Sequence, residues 1–182
     1  MRTLTIELPS QQAQRAFNER RWAELLRDPD LARIEGRVET DRYGRIILTP
    51  PSGPRHGSLQ AEIAYLLRVH ARGGRVLTEC PVSTADGVKG ADVAWASADR
   101  VRQVGDRACF PRAPEICVEV RSPGNTDQEI REKTALYFDA GAQEVWICAE
   151  DGTMAFLLYP ESVAADNSRI IPDFPTPIVL SD

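Results

Sequence analysis

Residues 115–149 read EICVEVRSPGNTDQEIREKTALYFDAGAQEVWICA, and the reading of this stretch decides the fold. From Glu115 to Arg121 the side chains alternate. Ile116, Val118 and Val120 take one side and Cys117, Glu119 and Arg121 the other, which is the period of a strand. Ser122-Pro123-Gly124 ends that strand, since proline has no amide to give to a ladder and glycine favours a turn. Asp127 to Ala140 then reads as a helix closed by Gly141, and Glu144 to Ala149 as a second strand. The unit is strand, helix, strand.

Working outward, Asp151-Gly152 marks a turn before a further strand at Thr153–Tyr159, and a proline-punctuated tail follows. Upstream lie strands at Arg75–Val82 and Gly90–Ala96, separated by a turn at Asp86-Gly87, and then a polar, arginine-containing loop to Pro114. A helix from His56 to Arg72 carries Leu59, Ile63, Leu66 and Leu67 at helical spacing and stops at Gly73-Gly74. Residues 34–49 read as a hairpin turning at Tyr43-Gly44 and broken by Pro50-Pro51. Before it, Ser10 caps a helix from Gln11 to Arg27, whose Ala16, Trp22, Ala23 and Leu26 give a partly apolar face. The order helix, three strands, helix, two strands predicts an α/β chain with a mixed sheet flanked by helices. Residues 1–33 form an N-terminal helical extension and residues 34–182 the main domain.

Composition narrows the function. The chain has 182 residues, of which 42% are hydrophobic, enough for one domain with a real core. Its longest apolar runs fall short of a membrane span, and its first residues lack the basic-then-apolar layout of a signal peptide, so the expectation is a cytoplasmic protein off the membrane. Cys80, Cys109, Cys117 and Cys148 show neither Cys-x-x-Cys nor Cys/His ligand spacing and read as reduced thiols, not a zinc site. A net charge of -5 excludes coating of nucleic acid through bulk positive charge but leaves room for a local basic groove. Arg37, Arg42, Arg45, Arg55, Arg68, Arg72 and Arg75 cluster in one part of the chain, either as a solvated face or as phosphate contacts.

The chemistry rests on two acids in apolar strands: Asp92 in Gly-Ala-Asp-Val-Ala and Glu119 in Ile-Cys-Val-Glu-Val. A carboxylate buried on a strand is costly unless a cation, a proton or hydrogen bonds compensate it. Two on neighbouring strands suit a hard divalent cation, Mg²⁺ or Mn²⁺, with the backbone carbonyl of Val120 as a third oxygen. Such an ion serves phosphodiester hydrolysis. Lys133, one of only two lysines, falls close to Ile130 and Tyr137, at the edge of the apolar stripe that contains Thr134, Phe138 and Gly141. It reads either as a snorkelling side chain or as an ammonium beside the metal.

The stretch from Ile34 to Tyr159 resembles the Uma2 family of restriction-endonuclease-like proteins, within the PD-(D/E)xK nuclease superfamily. The matching pieces are Glu35-Gly36, Pro54-Arg55-His56, Asp92, Pro114 to Val120 with Ser122-Pro123, Asp127, Lys133, Tyr137, and Gly141 to Trp146. The resemblance implies a restriction-endonuclease-like core in which Asp92 and Glu119 hold the metal, with the lysine moved from the strand to Lys133 on the following helix. Three positions depart from the family pattern. Ala91 replaces a proline, Glu115 an aspartate, and Arg121 an apolar residue. Arg121 shares a strand face with Glu119, so it either stabilises charge or pairs with a nearby acid; staying protonated, it is no base.

Glu35, by its match, is a further metal-side acid or a solvated hairpin residue. His56 contacts substrate or water, or merely caps and packs. Glu79 and Glu62 are acids that stand behind the ligands, and His70 is structural. The leading expectation is a metal-dependent endonuclease acting on nucleic acid, DNA above RNA. The alternatives are a nuclease-fold module that binds nucleic acid or a partner protein without cutting, and a metallohydrolase of small phosphates. The sequence leaves the oligomeric state open: many nucleases cut two strands as homodimers, and the helix with Trp22 offers a surface for such pairing.

Overall fold

The computed structural model describes residues 9–180. The first eight residues, on which the leader expectation and the start of the N-terminal extension fall, lie outside the described residues. α1 (Gln11–Leu25) begins where Ser10 Oγ accepts the amide of Ala13 at 3.2 Å. A 3₁₀ turn at Leu31–Arg33 leads into an antiparallel hairpin of β1 (Arg37–Thr40) and β2 (Ile46–Thr49). α2 (Pro54–His70) starts two residues before the expected His56, because proline is suited to the first helical turn, where its missing amide costs nothing.

β3 (Arg75–Thr84) and β4 (Gly87–Ala96) form a long antiparallel hairpin. α3 (Ala98–Val104), β5 (Ile116–Val120), α4 (Asp127–Asp139), β6 (Glu144–Cys148), β7 (Met154–Leu158) and β8 (Val163–Ala165) complete the order. The large sheet runs β3-β4-β5-β6-β7-β8, and β5 and β6 are its one parallel pair, with α4 as the crossover between them. It is therefore the expected mixed sheet flanked by helices.

Two local expectations are corrected. The segment after β4 contains α3, capped by Ser97 Oγ on the amide of Arg100; seven residues with three charges among them have too little apolar periodicity to announce a helix. The tail contains β8, which pairs with β7.

Each face of the sheet has its own core. On one, Leu59, Ile63 and Leu67 of α2 pack on Val93, Ile116, Val118 and Trp146, and tail residues Ile171, Phe174 and Ile178 close the side. Each such aliphatic side chain, fully buried, contributes about 1.5–3 kcal/mol. On the other face Tyr137 and Phe138 of α4 cover Cys80, Ala91, Cys117 and Val145. The four cysteines are free and buried, and burial pushes the Cys80 thiol up to about 12. No helix among the described residues is long and apolar enough to cross a membrane.

α1 docks through polar groups, not through the expected apolar stripe. Its buried residues are Gln14, Asn18 and Leu25, whereas Leu26 is exposed. Asn18 Nδ2 donates to Ser83 Oγ and to the carbonyl of Thr84, both at 2.9 Å, and so ties the helix to the β3–β4 turn. At that turn Gly87 has φ +84°, and a Cβ there would lie 2.4 Å from the carbonyl oxygens of Thr40 and Asp41. Only glycine lets β1 press this closely, and β1 brings two side chains to the site.

Glu144 anchors the tail. Its carboxylate accepts Trp146 Nε1 and Ser168 Oγ, each at 2.7 Å, and the amides of Arg169 and Ile170 at 2.8 and 2.9 Å. Glu144→Ala strands these donors and should lower the unfolding free energy by about 3 kcal/mol or more, read by urea denaturation. A change of a few tenths would show that the tail is held by its apolar residues alone.

Candidate active site

The β4–β5 ladder runs from Trp95↔Ile116 to Val93↔Val118. One residue beyond, Asp92 and Glu119 project to the α4 side, since Val93 and Val118 face α2. In place of a further ladder bond, the carboxylate of Asp92 takes the backbone: Oδ2 accepts the amide of Val120 at 2.6 Å. Both acids are buried, with residue exposures of 1% for Asp92 and 5% for Glu119.

Lys133 reaches Glu119 from α4. That helix starts with a capping box between Thr126 and Glu129, which sets its register, and Lys133 lies one turn before Tyr137. Lys133 Nζ stands 3.0 Å from Glu119 Oε2, 3.0 Å from Glu39 Oε1 and 3.0 Å from the carbonyl of Gly90. Tyr137 Oη donates to Glu119 Oε1 at 2.7 Å. The ammonium reading is therefore the one the packing realises; the side chain points at acids, not along the stripe to water.

β1 contributes residues on the opposite side. Arg37 pairs with Asp92 Oδ1, and its Nε and Nη2 fork onto Glu79 at 2.9 and 3.1 Å. Glu39, two positions on, also accepts the amide of Gly90 at 2.8 Å. Glu79 takes Gln60 Nε2 at 3.0 Å and has φ +50°. His56, on the first turn of α2, brings Nε2 to 3.4 Å from Asp92 Oδ1 and shares Nδ1 with Ser122 Oγ at 3.0 Å.

Asp92, Glu119, Lys133, Tyr137, His56, Glu79 and the Val120 backbone are thus brought together. Arg121 instead pairs with Asp127, and Glu35 is exposed at the hairpin's start. Sequence reasoning missed Glu39, and it took Arg37 only as one of seven clustered arginines on a solvated face or on phosphates, not as a partner of Asp92. The signal available was their alternation on one side of a short strand, Arg37-Val38-Glu39, but a four-residue strand gives no hint of what it packs against.

The electrostatics follow from burial and count. Four carboxylates (Asp92, Glu119, Glu39, Glu79) surround two cations (Arg37, Lys133), a surplus of two negative charges. Burial tends to raise the pKa of Asp92, but hydrogen bonds from His56, Arg37 and Val120 and the Arg37 charge outweigh it and bring it to about 2. Glu119 goes the other way. Burial first, and the Asp92 charge after it, lift its carboxyl to about 7 against the pull of Lys133, Arg37 and Tyr137. Lys133 loses from burial but gains more from Glu119 and Glu39, so it is held charged. Among the described residues no group of three or more His, Cys, Asp or Glu forms a ready-made cage for a metal. The donors present are instead two carboxylates and a neighbouring carbonyl amid a two-charge acid surplus, which fits a hard divalent cation that keeps several waters.

Because burial lifts the Glu119 carboxyl from its ordinary value of 4.5 to about 7, the folded protein holds a proton between pH 4.5 and 7 that the unfolded chain has released. Stability of the metal-free protein should therefore fall as pH rises through that window, and Glu119→Gln should flatten the slope in urea unfolding. Asp92 acts oppositely and lower: its contribution, present above pH 3.8, is lost as pH falls towards 2. A wild-type slope of the other sign between pH 4.5 and 7 would refute the assignment to Glu119.

Comparison with known proteins bears on this arrangement. A family model described as "Uma2: Putative restriction endonuclease" matches residues 18–170. Among solved structures the fold is similar to that in the crystal structure of a putative nuclease belonging to DUF820 from Anabaena variabilis ATCC 29413. The TM-score is 0.64 at 20% identity, over 79% of this chain and 82% of that one. At that identity the likeness concerns the fold alone. A search of curated proteins finds no match. The family match takes in α2, the β3–β4 hairpin, β5 and α4, the elements that assemble the acids and Lys133, and the chain belongs to the Uma2 family.

Proposed function

We propose that this nuclease-family protein is a metal-dependent endonuclease that hydrolyses phosphodiester bonds of nucleic acid, with DNA as the favoured substrate. The observation that carries the reading is the pair of buried acids at the end of the β4–β5 ladder, with the Lys133 ammonium 3.0 Å from one of them. Asp92, Glu119 and the Val120 carbonyl are the atoms that would hold Mg²⁺ or Mn²⁺, and such an ion, when bound, supplies an acidified water and charge stabilisation at the phosphate.

The chain's own groups do the rest. Tyr137 fixes one Glu119 oxygen, leaving Oε2 between Lys133 and the site. Lys133, with Glu39 and Gly90 holding its other protons, is oriented and kept positive without a partner from solvent. With its three N–H groups so committed, a fixed ammonium of this kind acts as a charge, and it stabilises the negative charge that grows on the phosphate oxygens as the bond breaks. Arg121, spent on Asp127, supports the helix start more than the reaction.

A homodimer would let two such sites address two strands, and four unpaired buried thiols suit a cytoplasmic protein. One observation favours a second reading, a binding module without catalysis: each acid already has a cation from the protein, Arg37 on Asp92 and Lys133 on Glu119.

Purified protein with Mg²⁺ or Mn²⁺ should nick plasmid or digest single-stranded DNA, and Asp92→Ala, Glu119→Ala and Lys133→Ala should each lower the rate by about a hundredfold or more. Nucleic-acid binding with equal cleavage by wild type and all three variants would leave only the module.

A further inference from the structure

Arg37 stands on the Asp92 oxygen that a metal would need. Of the two Asp92 oxygens, Oδ2 is committed to the amide of Val120, and Oδ1 receives the Arg37 guanidinium. Arg37 is not a loose surface side chain that happens to fall there. Its side chain is 18% exposed, it is forked onto Glu79, and Nη1 donates to the Gly90 carbonyl at 3.3 Å. Glu79 in turn is held by Gln60, whose amide also donates to the Asp92 carbonyl at 3.1 Å. His56 Nε2 faces the same Oδ1 from 3.4 Å, so this oxygen is where three elements converge.

We propose that Arg37 is a resident counter-cation: it occupies the metal's place on Asp92 Oδ1 and must withdraw along Glu79 before a divalent ion can bind, so that β1 sets the metal affinity of the site. The inference rests on the metal-site reading above. Two cations cannot share one carboxylate oxygen at contact distance without repelling, and a ligand that must displace a resident partner binds more weakly by the free energy of that displacement. The fork matters as much as the charge. The Arg37 guanidinium engages Glu79 through Nε and Nη2 while Nη2 also meets Asp92, whereas a lysine at this position would bring a single nitrogen on a differently shaped stem. Withdrawal leaves Arg37 paired with Glu79, and Asp92 is then compensated by the incoming ion.

Calorimetric titration of Mn²⁺ into the full chain, at fixed salt, tests this with Arg37→Gln and Arg37→Lys. Arg37→Gln removes charge and fork; Arg37→Lys keeps the charge, removes the fork, and is the milder change should the glutamine variant unfold. Both should bind Mn²⁺ more tightly than wild type, Arg37→Gln by about tenfold or more and Arg37→Lys by less, within the usual range of coupling between sites. Binding seen only in the variants supports the proposal equally. A folded Arg37→Gln variant that binds Mn²⁺ no more tightly than wild type would overturn it, because no resident cation would then stand in the metal's way; Arg37→Lys affinity equal to that of wild type would overturn the part assigned to the fork. Folded wild type and variants that all fail to bind Mn²⁺ would instead remove the metal site itself and the inference with it.

Discussion

The hydrogen bond from the amide of Val120 to the carboxylate of Asp92 is the constraint around which the site is organised. A strand ladder normally spends every such amide on a backbone carbonyl. Here a side chain takes the role one residue past the last ladder pair, which leaves room for the carboxylates where the strands stop pairing. Asp92 is thereby fixed in place and held ionised, and Glu119 is placed beside it on the same face. α4 then has a defined target, and β1 has an acid to close over.

Two buried acids side by side would be unfavourable without compensation, and the protein supplies it from two directions. Lys133 comes from α4 and Arg37 from β1, each tied to a second acid of its own, Glu39 or Glu79. The result is a network still two charges short of neutrality, in which Glu119 is pushed towards the neutral form while Asp92 is not. That asymmetry follows from where the donors fall. Asp92 receives a backbone amide and a guanidinium, whereas the direct partners of Glu119 are one ammonium and a phenol.

Much of the fold was legible because its elements are local. The alternation of Glu115–Arg121, the breaker Ser122-Pro123-Gly124 and the stripe of Asp127–Ala140 each express a backbone preference over a few residues. α3 and β8 were not legible for the same reason: they are short, and tertiary contacts rather than periodicity make them regular. The docking of α1 is the sharper case. Its apolar residues suggest one face, yet Gln14 and Asn18 are buried, because the carbonyls of Arg42 between β1 and β2 and of Thr84 at the β3–β4 turn reward an amide more than a hydrocarbon.

The site divides along the same line. Asp92 and Glu119 could be picked out from sequence because a charge in an apolar run conflicts with its surroundings, and Lys133 because helical spacing puts a rare lysine at the edge of an apolar stripe; both signals are visible without coordinates. Tyr137 and His56 came from the family resemblance. Arg37 and Glu39 carry no such conflict, since charged residues on a short hairpin strand are ordinary. Their importance arises only when Gly87 lets β1 press against the β3–β4 turn and brings a distant segment over the acids. Sequence alone determined which residues needed compensation; the tertiary structure decided which residues provide it, because pairing across a fold depends on distances that local preference does not encode.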